Sequence, residues 1–270
     1  MEKIIKNICN QIKSKIKETP EIAIVLGSGL SDIIDCLENP TTILYSELDG
    51  MLQTKVEGHK NQFIVGKLHG KTVIVMRGRF HLYDGFSAKQ VCLPIYLFKE
   101  LGVKTLILTN ASGGIADKLN AGDILLIEDH INHTNQNAMI GGSVIDYGKQ
   151  FVDMTEPYDT KYREIVKQCA KDLNIKVETG TYMQVVGPYY ETKADIKMAK
   201  ILGADAIGMS TVVEVEAARH CDLSVLALSM ISNKACGLGN TALDHKDVLE
   251  TAKTAGTKMI KIISEFIKRV

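Results

Sequence analysis

Arg79, His81 and Tyr83 occupy alternate positions between Gly78 and Gly85, directly after an apolar run at residues 72–76. Alternate side chains of an extended segment share a face, so a guanidinium, an imidazole and a phenol are expected to face one pocket. Arginine beside histidine at a strand end suits an anion, because the guanidinium presents a planar fork of donors to phosphate oxygens. A polar hairpin turn is the competing reading of the same residues.

The other chemistry-bearing residues follow apolar runs in the same way. Gly27, Ser28 and Gly29 come after the run at 21–26. They lack the third glycine of a dinucleotide fingerprint and the Gly-Lys-Ser/Thr ending of a P-loop. A glycine-flanked hydroxyl at a helix start remains, suited to one phosphate or to a tight turn. Asn110 to Gly114 follow the run at 105–109, where glycines let the backbone approach a ligand or simply turn. His59 lies in a polar loop. Glu191, after Tyr189 and Tyr190, reads either as a helix N-terminal charge or as an acceptor for a ring N–H. Ser210, after Met209, either caps the helix that carries Glu214 and Glu216 or donates to a ligand. Asn233 ends the longest apolar run and can both donate to and accept from a heterocycle edge, or form a turn. His245 opens the last helix. His130 and His133 have a spacing that suits one helix face, but their segment ends a strand and no third ligand accompanies them, so no metal site is expected.

The elements that must position these residues alternate along the chain. Strands are expected at 21–26, 63–69, 72–76, 105–109, 123–128, 176–186, 206–208 and 223–231. Helices are expected at 4–16, 30–37, 87–101, 159–172, 192–202, 212–220 and 245–270. Residues 63–76 read as a hairpin, and 140–158 as a long irregular loop suited to a lid or subunit contact. Continuous apolar strands separated by helices predict an α/β fold: a single domain over 1–270 with a mixed, mostly parallel central sheet flanked by helices. In such sheets ligands sit beyond the strands' carboxyl ends.

The 32 basic and 32 acidic residues of the 270 cancel, which argues against a nucleic-acid or membrane partner. No apolar run reaches the length of a membrane span, and the N-terminus does not read as a signal peptide. Six scattered cysteines without a C-x-x-C pair suggest reduced thiols in a cytoplasmic protein. Together the loops offer phosphate donors, an aromatic wall, one carboxylate and one amide. They offer neither a metal cluster nor a nucleophile–base pair. The set suits recognition of a phosphate, a sugar and a heterocycle.

In order along the chain, Gly27-Ser28-Gly29-Leu30, Gly58-His59, Gly78 to Gly85, Thr109 to Gly114, Asp129 to Asn132, Gly187 to Thr192, Gly203 to Thr211 and Ser232-Asn233-Lys234 closely resemble the trimeric, inosine–guanosine class of purine nucleoside phosphorylases. The resemblance runs from about residue 21 to the final helix. It implies a phosphorylase/nucleosidase-like fold and reversible phosphorolysis of 6-oxopurine (deoxy)ribonucleosides in purine salvage. It implies a homotrimer, with phosphate as co-substrate and no cofactor. The phosphate would be held by Ser28, His59, Arg79, His81, the backbone at Ala111, and Ser210. The ribose would contact Tyr83, the backbone at Met209, His245, and Phe151 lent by a neighbouring subunit. Tyr190, Glu191 and Asn233 would hold the base, with Glu191, Asn233 and His81 as the catalytic group. Tyr190 stands where many members carry phenylalanine, Ser112 replaces a smaller residue, and Ser232 stands where some have threonine. A 5′-methylthioadenosine phosphorylase of the same fold is the alternative. Asn233 argues against it, since an adenine amino group calls for a carboxylate acceptor. A nucleoside-binding protein without turnover and an NAD-dependent oxidoreductase are readings from other classes.

Overall fold

The computed structural model describes residues 1–270 except 28–29, 56–59, 143 and 240–244, and describes only the backbone of 245–254. The chain opens with helix α1 (Glu2–Lys15), whose Ile5, Ile8 and Ile12 are buried. Strand β1 (Ile22–Val25) runs into a short 3-10 segment, Ser31–Cys36. Then come β2 (Glu38–Leu44), β3 (Gln62–Leu68) and β4 (Lys71–Arg77). Helices α2 (Ala88–Val91) and α3 (Leu93–Leu101) follow. Next are β5 (Thr105–Gly114), β6 (Ile124–Asn132), α4 (Thr160–Asp172), β7 (Val177–Gln184) and α5 (Lys193–Ile201). The short β8 (Ala206–Gly208) leads to α6 (Val212–His220), and β9 (Ser224–Lys234) precedes α7 (His245–Arg269).

The strands form one mixed sheet in the order β2-β3-β4-β1-β5-β8-β7-β6-β9, and an additional β5–β9 pairing closes β5, β8, β7, β6 and β9 into a five-stranded barrel. β1 is parallel to both β4 and β5, and β5 to β9. β3 and β4 form the expected antiparallel hairpin. β8 runs antiparallel to β5 but parallel to β7, and β2–β3 and β6–β9 are antiparallel as well, so the sheet is mixed.

Alternation sends the strand residues to two cores. Ala23, Val25, Ile74, Met76, Leu106 and Leu108 pack towards α1, α3 and α6. Ile22, Ile24, Val73, Val75 and Ile107 pack towards α4 and α7. Both faces are therefore covered, as continuous apolar strands require. Among the described residues, no helix is long and apolar enough to cross a membrane.

Three expectations change. The helix at 87–101 is two helices, because Pro94 lacks an N–H and its ring crowds the preceding turn; Ser87 caps the first with a capping box. Within the helical stretch expected at 30–37, Ser31–Cys36 form a 3-10 segment and not an α-helix. Strand β2 was not expected. Only Ile43 of it is buried, and Pro40 sits where its register with β3 shifts, a position a sheet edge tolerates.

Candidate active site

The site begins where β4 ends. Arg79 is only 2% exposed. Its Nε donates to Glu214 Oε1 at 3.1 Å, and its Nη1 donates to Thr109 O at 2.7 Å and to Ser210 Oγ at 3.2 Å. Two steps further, His81 is also buried. The strand-like alternation expected through Tyr83 does not persist. Residues Leu82–Asp84 form a 3-10 turn, closed by Gly85 in the left-handed region at φ +85°, which glycine enters without a Cβ clash. The turn brings His81 and Tyr83 together by another route: their rings stack with centroids 4.5 Å apart and planes 12° from parallel. Asp84 Oδ2 lies 3.8 Å from His81 Nδ1. Burial pushes the Tyr83 phenol up to about 12; the nearby Asp84 carboxylate adds to this and Arg79 opposes it.

β5 supplies the second wall. Residues 110–114 continue the strand instead of turning. Thr109 Oγ1 donates to Val25 O at 2.9 Å and accepts from Gly27 N at 2.8 Å, so its carbonyl is fixed beneath Arg79. A Cβ on Gly27 would lie 2.7 Å from Asn110 Cα, so β1 and β5 approach this closely only with glycine there.

The antiparallel crossing of β8 and β5 pairs Ile207 with Gly113. Residues after β8 therefore run back along β5 towards Thr109, which brings Ser210 to Arg79. Ala111 lies on this path: a Cβ on Gly208 would be 3.4 Å from its carbonyl oxygen. The cap of α6 is Thr211, not Ser210, so the Ser210 hydroxyl is not used at the helix start. Met209 packs its sulfur against Gly187.

Asn233 arrives on β9. The register with β5 skips one residue, pairing Ser112 with Ile231 and Gly113 with Asn233. Ser232 is the extra residue of a bulge, a device that re-aims a side chain. Its hydroxyl donates to Asn233 Oδ1 at 2.7 Å, and Asn233 Nδ2 donates to Lys234 O at 2.8 Å. Asn233 thus sits in a strand ladder and not in a turn.

Glu191 lies between β7 and α5. The N-terminus of α5 is satisfied by Thr192 and Asp195 in a capping box, which leaves the helix-charge role to Asp195. Glu191 instead lines a cavity of about 200 Å³ with Met183, Val185, Gly187 and Ile207. Burial raises its carboxyl pKa; its backbone hydrogen bond acts the other way. Tyr190 is exposed and lies near enough to Tyr83 to add slightly to the upward shift of that phenol.

Arg79, His81, Tyr83, Ala111, Met209 and Ser210 therefore stand around one junction of strand ends, with Asn233 beside Gly113, while Glu191 lines its own cavity next to Gly187, against which Met209 packs. Phe151 does not join them. It is 85% exposed and lines a separate depression of about 460 Å³ with Asn137, Ile140 and His220. Ser28 and His59 lie outside the described residues, as does the His245 side chain, although His245 opens α7 as expected. Among the described residues, no group of three or more His, Cys, Asp or Glu is placed to hold a metal ion. His130 is on β6 with Nδ1 3.0 Å from Tyr158 Oη, and burial lowers its pKa to about 4.

Glu214, Thr109 and Thr211 were not anticipated as site residues. Glu214 carried a readable signal: Thr211 to Glu214 has the Thr-x-x-Glu spacing of a capping box.

A family model, the phosphorylase superfamily, matches residues 21–268. Purine nucleoside phosphorylase 1 of Bacillus subtilis (strain 168) is 41% identical over 256 residues, covering 95% of this chain and 94% of that protein. Purine nucleoside phosphorylase of Rattus norvegicus is 37% identical over 266 residues, covering 96% and 92%. The crystal structure of Schistosoma mansoni purine nucleoside phosphorylase in complex with inosine superposes with a TM-score of 0.93 at 34% identity, over 99% of this chain and 96% of that one.

Proposed function

The chain belongs to the purine nucleoside phosphorylases of the phosphorylase superfamily, and from that premise we propose how its residues divide the reaction. The protein is an enzyme that transfers a pentosyl group to phosphate: purine nucleoside and phosphate give free purine and ribose 1-phosphate. The chemical difficulty is a poor leaving group. As the glycosidic bond stretches, positive charge grows on the sugar and negative charge on the base. The phosphate oxygen that attacks C1′ replaces the bond to the base nitrogen, whose electron pair leaves with the purine.

Arg79, His81, Ser210 and the Ala111 backbone hold the phosphate in this proposal, with Ser28 and His59. The anion stabilises the sugar cation before it attacks. Tyr83, the Met209 backbone and His245 orient the ribose. Glu191 and Asn233 stabilise the purine as it gains electron density, with Tyr190 against its face. Donors fixed before the reaction need not reorganise during it, and this preorganisation is commonly the largest catalytic contribution. Phosphate supplies the nucleophile, so the chemistry calls for neither metal nor cofactor.

The single observation that carries this reading is the Arg79–Ser210–Thr109 cluster, formed where the chain after β8 runs back along β5. An amide at 233 can donate to a 6-oxo group, and so we propose 6-oxopurine nucleosides such as inosine and guanosine as substrates. The 5′-methylthioadenosine reading is not favoured by relatives named as purine nucleoside phosphorylases. We also propose a homotrimer in which Phe151 serves a neighbouring site; its exposure supports this. A cytoplasmic setting belongs to the same proposal and rests on the cysteine usage. The reading is tested by whether release of base from inosine requires phosphate.

A further inference from the structure

Glu214 has no part in the ligand contacts proposed above, yet its side chain is 2% exposed and it touches Arg79, proposed to face phosphate, and Thr211, the residue that follows Ser210. Oε1 accepts from Arg79 Nε at 3.1 Å. Oε2 accepts from the Thr211 N–H at 3.0 Å. Thr211 follows Ser210 directly and holds φ +88°, ψ −52°, a region that β-branched residues rarely enter unless the surroundings enforce it. Asn110 Nδ2 adds a 2.8 Å bond to Thr211 Oγ1, and the Ser210 and Thr211 hydroxyls lie 3.2 Å apart. One carboxylate therefore ties the strand that supplies Arg79 to the turn that supplies Ser210.

We propose that Glu214 is a positioning residue for the phosphate site, aiming the Arg79 guanidinium and holding the strained Ser210–Thr211 turn. The inference rests on the phosphate-site reading above. Its chemistry is specific to a carboxylate. Both oxygens of Glu214 face N–H donors, and an ionised carboxylate accepts at both. A glutamine accepts at one end only, so its NH2 must point at either Arg79 Nε or the Thr211 N–H. One of the two ties is then replaced by two donors facing each other. A buried charge left without its partner is costly, so the pair is expected to respond as a unit.

The test is steady-state kinetics of Glu214→Gln, varying phosphate at saturating inosine and inosine at saturating phosphate, alongside Tm. Loss of one charge-assisted bond at the anion site is expected to raise the KM for phosphate by about tenfold. The KM for inosine should stay within about twofold, because Glu214 touches none of the groups proposed to hold base or sugar. Glu214→Asp keeps two acceptors but retracts them by one methylene, and should raise the phosphate KM less than Glu214→Gln does. A phosphate KM unchanged in both variants would overturn the inference, as would proportional rises in both KM values that track a fall in Tm. A wild-type protein whose base release is indifferent to phosphate would instead overturn the reading beneath it.

Discussion

At the scale of single residues, the proposed discrimination between purines rests on Asn233. Its amide is held by the Ser232 hydroxyl on one side and the Lys234 carbonyl on the other, so a base edge would meet a fixed amide. A site that hydrogen-bonds one exocyclic group rejects an analogue that leaves its buried polar atoms unpaired. Asn233→Asp replaces a donor with an acceptor. It is expected to shift the ratio of kcat/KM for inosine over adenosine towards adenosine by about tenfold or more. An unchanged ratio would remove Asn233 from that role. The sequence showed which residue types to look for, since Arg79, His81 and Asn233 each follow an apolar run and Glu191 follows the extended stretch at 176–186. The route by which they meet was less visible. Tyr83 reaches His81 through a 3-10 turn, and Asn233 takes its place through a bulge whose extra residue, Ser232, looks ordinary in sequence.

At the scale of elements, the proposed phosphate wall depends on how closely β1 approaches β5. Gly27 donates to Thr109 Oγ1, and Thr109 O accepts from Arg79. In Gly27→Ala the new methyl would lie 2.7 Å from Asn110 Cα and 2.8 Å from Thr109 O, both backbone atoms. Such overpacking against backbone is expected to cost about 1–3 kcal/mol, read as a lowered Tm. Because the displaced carbonyl is the one beneath Arg79, the phosphate KM should rise as well. An unaltered Tm and phosphate KM would show that the strands yield. The apolar elements were legible from the sequence, β1 as a continuous apolar run and α6 as a helical stretch. Edge strand β2 was not, because five of its first residues are exposed and Asn39-Pro40 reads as a turn. Closure of the barrel was not legible either: it depends on the three-residue β8 pairing backwards with the far end of β5, Ile207 with Gly113 and Ala206 with Gly114. Such long-range pairing leaves no local pattern.

At the scale of the whole molecule, the exposure of Phe151 is what a single chain does not explain; among the described large apolar side chains it is the most exposed. It is a large aromatic, 85% exposed, on the irregular stretch between β6 and α4. The proposed trimer would place it over a neighbour's ribose. That arrangement predicts complementation between two impaired variants, Phe151→Ala and Glu191→Ala. In mixed trimers, a pocket with intact Glu191 from one variant receives intact Phe151 from the other. Mixing under conditions that allow subunit exchange should therefore restore inosine turnover above the sum of the separate variants. Activity that merely adds, although exchange is complete, would show that each chain works alone. Phe151 was legible in the sequence only through family resemblance, since no periodicity marks a contact between chains.

In the proposed reaction phosphate, not water, takes the sugar. The most direct measurement incubates the protein with inosine, with and without inorganic phosphate, and quantifies hypoxanthine, ribose 1-phosphate and free ribose. Hypoxanthine and ribose 1-phosphate are expected to appear together in equal amounts when phosphate is present, and base release to all but stop when it is withheld. Hypoxanthine released equally fast without phosphate, accompanied by free ribose, would contradict it and identify a hydrolase.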